Sequence, residues 1–186
     1  MKKFSLILLA ISLFQISIVS AASAKSMLYA GETLEKGQVL TSSNGIYSLI
    51  WQTDNNLVLY KNYNGSTTSL WSSNTVGYYV ETPKGGDGSY YGYDRHYPDY
   101  VGFGIMKSIY SSQTWPQALG LIERSTGMVV YRFAPENWTK ANYASGSVPS
   151  DLTGDVLNVQ DDGNVVVYNT KHGNWYPVWA TNTAGR

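Results

Sequence analysis

One nine-residue pattern occurs twice in the chain, as Gln52-x-Asp54-x-Asn56-x-Val58-x-Tyr60 and as Gln160-x-Asp162-x-Asn164-x-Val166-x-Tyr168. Eleven residues past each Tyr stands a Trp that opens a matching phrase, Trp71-Ser-Ser-Asn-Thr75 and Trp179-Ala-Thr-Asn-Thr183. A pattern this long at one spacing restricts the chain to folds built from repeats, each unit burying its apolar face against its neighbours. The internal period is two, which is the period of a strand. All five marked positions of a copy therefore share one face of a hairpin.

The surrounding residues agree. Tyr47-Ser-Leu-Ile-Trp-Gln52 and Leu57-Val-Leu-Tyr60 are β-branched and aromatic, and Asp54-Asn55-Asn56 between them is turn chemistry. The second copy runs Val156-Leu-Asn-Val-Gln160, Asp161-Asp-Gly-Asn164, Val165-Val-Val-Tyr168. Trp51, Leu57 and Leu59 then face a core, while Gln52, Asp54, Asn56 and Tyr60 present two amides, a carboxylate and a phenol. Val58 adds a small apolar patch. Hydroxyl-rich rings with C–H faces need that mixture. A polar turn between strands is also the ordinary finish of any hairpin; two full copies with the Trp-led echoes favour a ligand site.

The motif resembles the signature of the monocot mannose-binding lectins, also called bulb-type or snowdrop-agglutinin-like lectins. Leu28-Tyr-Ala-Gly-Glu-Thr-Leu34, Gly37-Gln-Val-Leu40, Asn56-Leu-Val-Leu-Tyr60 and the two Trp-led phrases are similar to that family as well. The resemblance covers both ends of the chain and is weaker in the middle. It implies an all-β fold, the β-prism II: three antiparallel four-stranded sheets with pseudo-threefold symmetry, each with one possible sugar site. It also implies roles. Asp54 and Asn56 would take the 2-hydroxyl of mannose, Gln52 the 3-hydroxyl and Tyr60 the 4-hydroxyl, with Val58 against the ring carbons. Asp162, Asn164, Gln160, Tyr168 and Val166 would repeat them. No metal or other cofactor is implied. Plant members carry a disulfide, and Asn55 stands where they often have Cys.

The first 24 residues read as a signal peptide. Lys2-Lys3 is a positive start, Phe4 to Val19 is mostly apolar, and Ala22-Ser23-Ala24 is a small-residue cleavage site. The apolar run is short for a membrane span, which needs about twenty residues, and is broken by Ser12, Gln15 and Ser17. Cleavage near Ala24 would leave residues 25–186 as one lectin domain, secreted or periplasmic, with no membrane span. From 13 basic and 13 acidic side chains, losing Lys2 and Lys3 leaves eleven against thirteen. That balance, with no basic stripe, argues against nucleic acid as a partner. With no cysteine in the chain, disulfides, zinc–thiolate sites and thiol nucleophiles are excluded.

A threefold fold needs a middle copy. Aligned on Tyr131, the stretch Leu119–Tyr131 places Glu123, Ser125, Gly127, Val129 and Tyr131 at the motif positions, so that Val and Tyr survive and the polar residues do not. The repeats then fall near 47–75, 119–138 and 156–183. Insertions fall near 77–117, a Tyr-rich stretch between the first and second repeats, and near 140–153, a Ser/Pro/Gly-rich surface loop. No helical periodicity of useful length follows residue 25. His96, between Asp94 and Asp99, and His172, in Lys-His-Gly-Asn, read as solvated loop residues rather than metal ligands. No nucleophile elbow, phosphate loop or His-Glu-x-x-His is present. Asp54 and Asp162 belong to different repeats and are not a glycosidase pair.

The sequence thus points to a lectin without enzymatic activity, binding mannose or mannose-containing glycans at two sites. A homodimer would add avidity. The rival readings are a lectin-like bacteriocin and a partner-binding structural scaffold.

Overall fold

The computed structural model describes residues 25–84, 92–107 and 113–186; the leader read at 1–24 lies outside them. Fourteen strands are described: β1 (Met27–Tyr29), β2 (Leu34–Glu35), β3 (Val39–Thr41), β4 (Tyr47–Trp51), β5 (Leu57–Tyr63), β6 (Ser66–Ser72), β7 (Val80–Pro83), β8 (Tyr93–His96), β9 (Tyr100–Lys107), β10 (Thr114–Ile122), β11 (Val129–Arg132), β12 (Val156–Val159), β13 (Val165–Asn169) and β14 (Tyr176–Ala180). They make three four-stranded sheets, β3-β4-β5-β6, β2-β9-β10-β11 and β1-β12-β13-β14, and a hairpin of β7 and β8. All described pairings are antiparallel. The short opening strands β1, β2 and β3 are shared out, one to the edge of each sheet.

Each sheet sends one row of apolar side chains inward. The rows pair across the strands as Leu40, Leu49, Leu59 and Trp71; as Leu34, Val101, Leu121 and Tyr131; and as Leu28, Leu157, Val167 and Trp179. The nine aliphatic members are at most 2% exposed. Burying each contributes roughly 1.5–3 kcal/mol. The rows end on aromatics that meet at Phe133, whose ring centroid lies 6.0 Å from Trp71, 5.2 Å from Tyr131 and 5.1 Å from Trp179. In every sheet the register slips immediately after the row, at Leu59/Tyr60, Leu121/Ile122 and Val167/Tyr168.

That shared register corrects the alignment of the middle repeat. Tyr131 occupies the place of Trp71 and Trp179, not of Tyr60 and Tyr168. The backbone agrees: Phe133 N–H donates to Leu119 C=O as Ser73 does to Leu57 and Thr181 to Val165. Ile122 is thus the counterpart of the motif Tyr, Gly120 of the motif Val and Ala118 of the motif Asn. Glu123, Ser125 and Gly127 belong to the β10–β11 turn. The turn equivalent to the two motif turns joins β9 to β10, and its residues 108–112 lie outside the described set.

The insertion near 77–117 is correspondingly smaller, because β9 and the start of β10 within it are strands of the middle sheet. The remainder includes β7 and β8, with 85–91 outside the described residues. Its tyrosines pack: Tyr78 lies edge-on to Tyr131 at 5.5 Å, Tyr79 meets Tyr97 at 5.4 Å, and Arg95 sits 4.9 Å over Tyr79. His96 is not solvated. Its Nδ1 is 2.9 Å from Glu123 Oε2 and its Nε2 2.8 Å from Thr82 Oγ1, pinning the hairpin to the β10–β11 turn. His172 likewise pairs with Asp151 at 3.0 Å.

One helix interrupts the all-β plan, α1 (Pro135–Asn142), and it takes in the start of the segment read as a loop at 140–153. Pro135 presets the first turn, Glu136 sits at the positive end of the helix dipole and Lys140 near the negative end. Eight residues are too few to show an amphipathic period. The helix packs against β14. None of the described helices is long and apolar enough to cross a membrane.

Candidate functional site

The two motif turns fold alike. Gln52 N–H donates to Asn56 C=O and Gln160 N–H to Asn164 C=O, both at 2.9 Å. Asp54 Oδ1 accepts from Asn56 N–H at 3.0 Å, and Asp162 Oδ1 from Asn164 N–H at 2.9 Å. Each Asp therefore caps its own turn with one oxygen and keeps the other toward solvent. The residue inside the turn has positive φ, Asn55 at 71° and Gly163 at 88°. Glycine is required at the second. A Cβ there would meet the buried ring of Tyr47 at 2.6 Å.

The side chains then set the chemistry. Gln52 Nε2 donates to Tyr60 Oη at 3.0 Å and Gln160 Nε2 to Tyr168 Oη at 2.8 Å. A phenol oxygen that accepts from the amide has its own O–H left to donate outward. Asn56 Oδ1 is used inside the protein, accepting from Ser72 Oγ at 2.9 Å, Ser73 Oγ at 3.1 Å and Thr75 N–H at 3.3 Å. Asn164 Oδ1 accepts from Thr181 Oγ1 at 3.0 Å and Thr183 N–H at 3.3 Å. Those bonds fix the amide orientation and aim Nδ2 away from the protein. The Trp-led phrases read in the sequence have this second task, holding the motif Asn. Val58 and Val166 are buried between neighbouring strands. Each site therefore offers a carboxylate oxygen, an amide oxygen, an amide N–H pair and a phenol O–H, so acceptors and donors alternate as sugar hydroxyls require.

The structure brings the five residues of each copy together and keeps the copies on separate sheets. The middle sheet has no such set among its described residues, with Ala118, Gly120 and Ile122 at the corresponding places. No group of three His, Cys, Asp or Glu side chains suited to a metal exists among the described residues. A cavity of about 570 Å³ lies elsewhere, between α1, the 144–153 segment and Pro116, and includes none of the ten motif residues.

The surroundings of the two sites differ in a way the sequence did not disclose. Tyr168 pairs across the strands with Pro177, and Asn169 with Tyr176. That register sets Trp175 beside the motif, its ring 5.3 Å from Tyr168 and half exposed. Tyr143, just past α1, donates its hydroxyl to Pro177 C=O at 2.8 Å. Burial, with the Asp162 charge adding to it and the Gln160 bond opposing it, raises the Tyr168 pKa above its ordinary value. In the first sheet Tyr60 pairs with Ser69 and Lys61 with Thr68. Thr67 takes the place of Trp175 and hydrogen-bonds to Asn62. The Trp could have been flagged only by aligning the β5–β6 and β13–β14 hairpins across their bulges.

No family model and no curated protein matches the chain. Among solved structures it is similar to a lectin of Marasmius oreades, at 18% identity over 87% of this chain and 94% of that one, with a TM-score of 0.46. It is similar to a monomeric monocot mannose-binding lectin of Gastrodia elata, at 22% identity over 86% and 99%, with a TM-score of 0.43. A domain-swapped lectin dimer of Mycobacterium smegmatis matches at 23% identity over 83% and 97%, with a TM-score of 0.25. Likenesses at this level carry no residue roles into this chain.

Proposed function

We propose that this chain is a carbohydrate-binding lectin of the bulb type, a β-prism II with pseudo-threefold symmetry that binds mannose or mannose-containing glycans without metal or catalysis. Two motifs act, Gln52–Tyr60 and Gln160–Tyr168, and the middle sheet is kept for the core. The observation that carries this reading is the repeated polar geometry. Two turns far apart in sequence orient the same four polar side chains by the same internal bonds, leaving matched donors and acceptors free. A hairpin needing only a polar finish has no use for an Asn whose oxygen is held by three partners, as in Asn56, or two, as in Asn164, so that its nitrogen faces out. Export after cleavage near Ala24, and a homodimer that would raise avidity, belong to the same reading. No described feature favours the bacteriocin or scaffold readings over it.

The test is titration with a mannose disaccharide in EDTA and again in calcium. Close to two sites per chain are expected in both, falling to one in Asp54→Ala or Asp162→Ala and to none in the double variant. Each lost carboxylate costs about 1.5–3 kcal/mol of binding, enough to silence a weak site. Binding that EDTA abolishes, or that survives the double substitution, defeats the proposal.

A further inference from the structure

We propose that the last site is an oligosaccharide site, in which the half-exposed indole of Trp175 receives the sugar residue adjoining the one held by the motif, and that the first site takes a single terminal residue. This rests on the lectin reading above and goes beyond it by giving the two copies different ligands.

The argument starts from placement. Trp175 lies in the β13–β14 turn, among the most exposed large apolar residues described, at 50%. Half of its surface stays in water, where it adds nothing to folding. It is nevertheless ordered against the motif. Its ring meets Tyr168 edge-on at 5.3 Å with planes 61° apart, which leaves indole surface open to solvent. Tyr168 is fixed in turn by Gln160 at 2.8 Å. On the far side of the turn, His172 meets Tyr176 at 6.5 Å and pairs with Asp151, so the segment carrying Trp175 is braced at its base.

The chemistry follows. A sugar hydrogen-bonded to the Tyr168 hydroxyl lies beside the indole, because the two rings are in edge-on contact at 5.3 Å, so the next sugar residue of a chain is within reach of the exposed indole surface. The C–H face of a second pyranose is apolar and slightly positive, and an aromatic face is apolar and negative. Trp offers such a face at low entropic cost, having only two rotatable side-chain bonds, and is for that reason enriched where binding energy concentrates. The first site has no counterpart. Thr67 stands there, its hydroxyl donated to Asn62 at 2.8 Å, and a short side chain already engaged cannot stack. The two motifs thus share a monosaccharide site, and one of them is extended.

The experiment isolates each site. In an Asp54→Ala background, leaving the last site active, methyl α-mannoside and a mannose disaccharide are titrated against Trp175, Trp175→Ala and Trp175→Phe. We expect the disaccharide to bind at least tenfold tighter than the monosaccharide. Trp175→Ala should erase that gain while changing monosaccharide affinity less than twofold, and Trp175→Phe should restore part of it. Disaccharide should also quench or shift Trp fluorescence in the Asp54→Ala protein, and this signal should vanish with Trp175→Ala. In an Asp162→Ala background, Trp175→Ala should change nothing. Monosaccharide binding with no disaccharide gain, or a gain indifferent to Trp175, overturns this inference and leaves the lectin reading standing. No binding of either sugar by the unaltered chain overturns both.

Discussion

The first and last sheets differ from the middle one on one face only. Inward, the three are the same: an aliphatic residue on each of three strands, an aromatic on the fourth, and a register slip directly after. Outward, two sheets carry the carboxylate, amides and phenol, and the third carries Ala118, Gly120 and Ile122. Successive residues of a strand point to opposite faces, so the core and the site use alternate positions and can change independently. A sheet can therefore lack the polar set without loosening the core, provided its inward row is intact.

The largest test of that comparison is the aromatic centre. Trp71→Ala should cost about 3 kcal/mol, lowering the melting temperature by roughly 10 °C, since a large core side chain leaves a cavity behind. Tyr131→Ala should destabilise on the same scale if Tyr131 is the partner of Trp71 and Trp179. A Tyr131→Ala protein that melts like the unaltered chain would return Tyr131 to the motif position and undo the register argument.

A smaller effect is expected where the two motif turns part company. Gly163→Ala combines a positive φ with a 2.6 Å approach to the Tyr47 ring. It should cost about 2 kcal/mol in thermal or urea unfolding. At the equivalent place Asn55 already carries a side chain, with its buried Oδ1 unpartnered. Asn55→Gly should be neutral or stabilising by under about 1 kcal/mol. Equal losses at both would mean the turns are not equivalent.

The smallest expected effect concerns the tie between the β7–β8 hairpin and the β10–β11 turn. Burial acts to raise the Glu123 pKa, but bonds from Thr126 and His96 outweigh it and hold the carboxyl below its ordinary 4.5. A carboxyl lowered in the folded state adds stability that is complete above its unfolded pKa and is lost as pH falls through the folded one. Glu32, Glu35 and Glu136 are lowered too, so melting curves between pH 6 and 3 should lose stability in both proteins, with the loss smaller by under about 1 kcal/mol in Glu123→Gln.

Much of this was legible beforehand, and the part that was not has a physical reason. The alternation in Leu57-Val-Leu-Tyr60 places Trp51, Leu57 and Leu59 in the core as read, but Val58 and Val166, read as apolar contacts on the site face, are themselves only 4% exposed. The middle repeat misled because Val129 and Tyr131 reproduce the motif's last two letters at the right spacing. Register is fixed by cross-strand partners far away in sequence, and Tyr131 is placed by Leu121 and Phe133 rather than by its neighbours. Helix α1 is too short to show a period, although its Pro and its flanking charges were there to be read. Trp175 looked like an ordinary turn residue because its meaning lies in a bulge, which shifts every later pairing by one.

The pairing of Met27 with Asn158 imposes an order of assembly. The first described strand has no partner until nearly the whole chain exists, so the last sheet closes late, across the longest loop the fold contains, and contacts of that span form slowly. The first sheet, by contrast, is complete within one local run from Val39 to Ser72. A chain emerging end-first would acquire its simple site early and the site beside Trp175 only at completion. Truncation ahead of β12 would take away the one strand β1 is paired with, leaving its backbone groups an invitation to join a neighbouring copy.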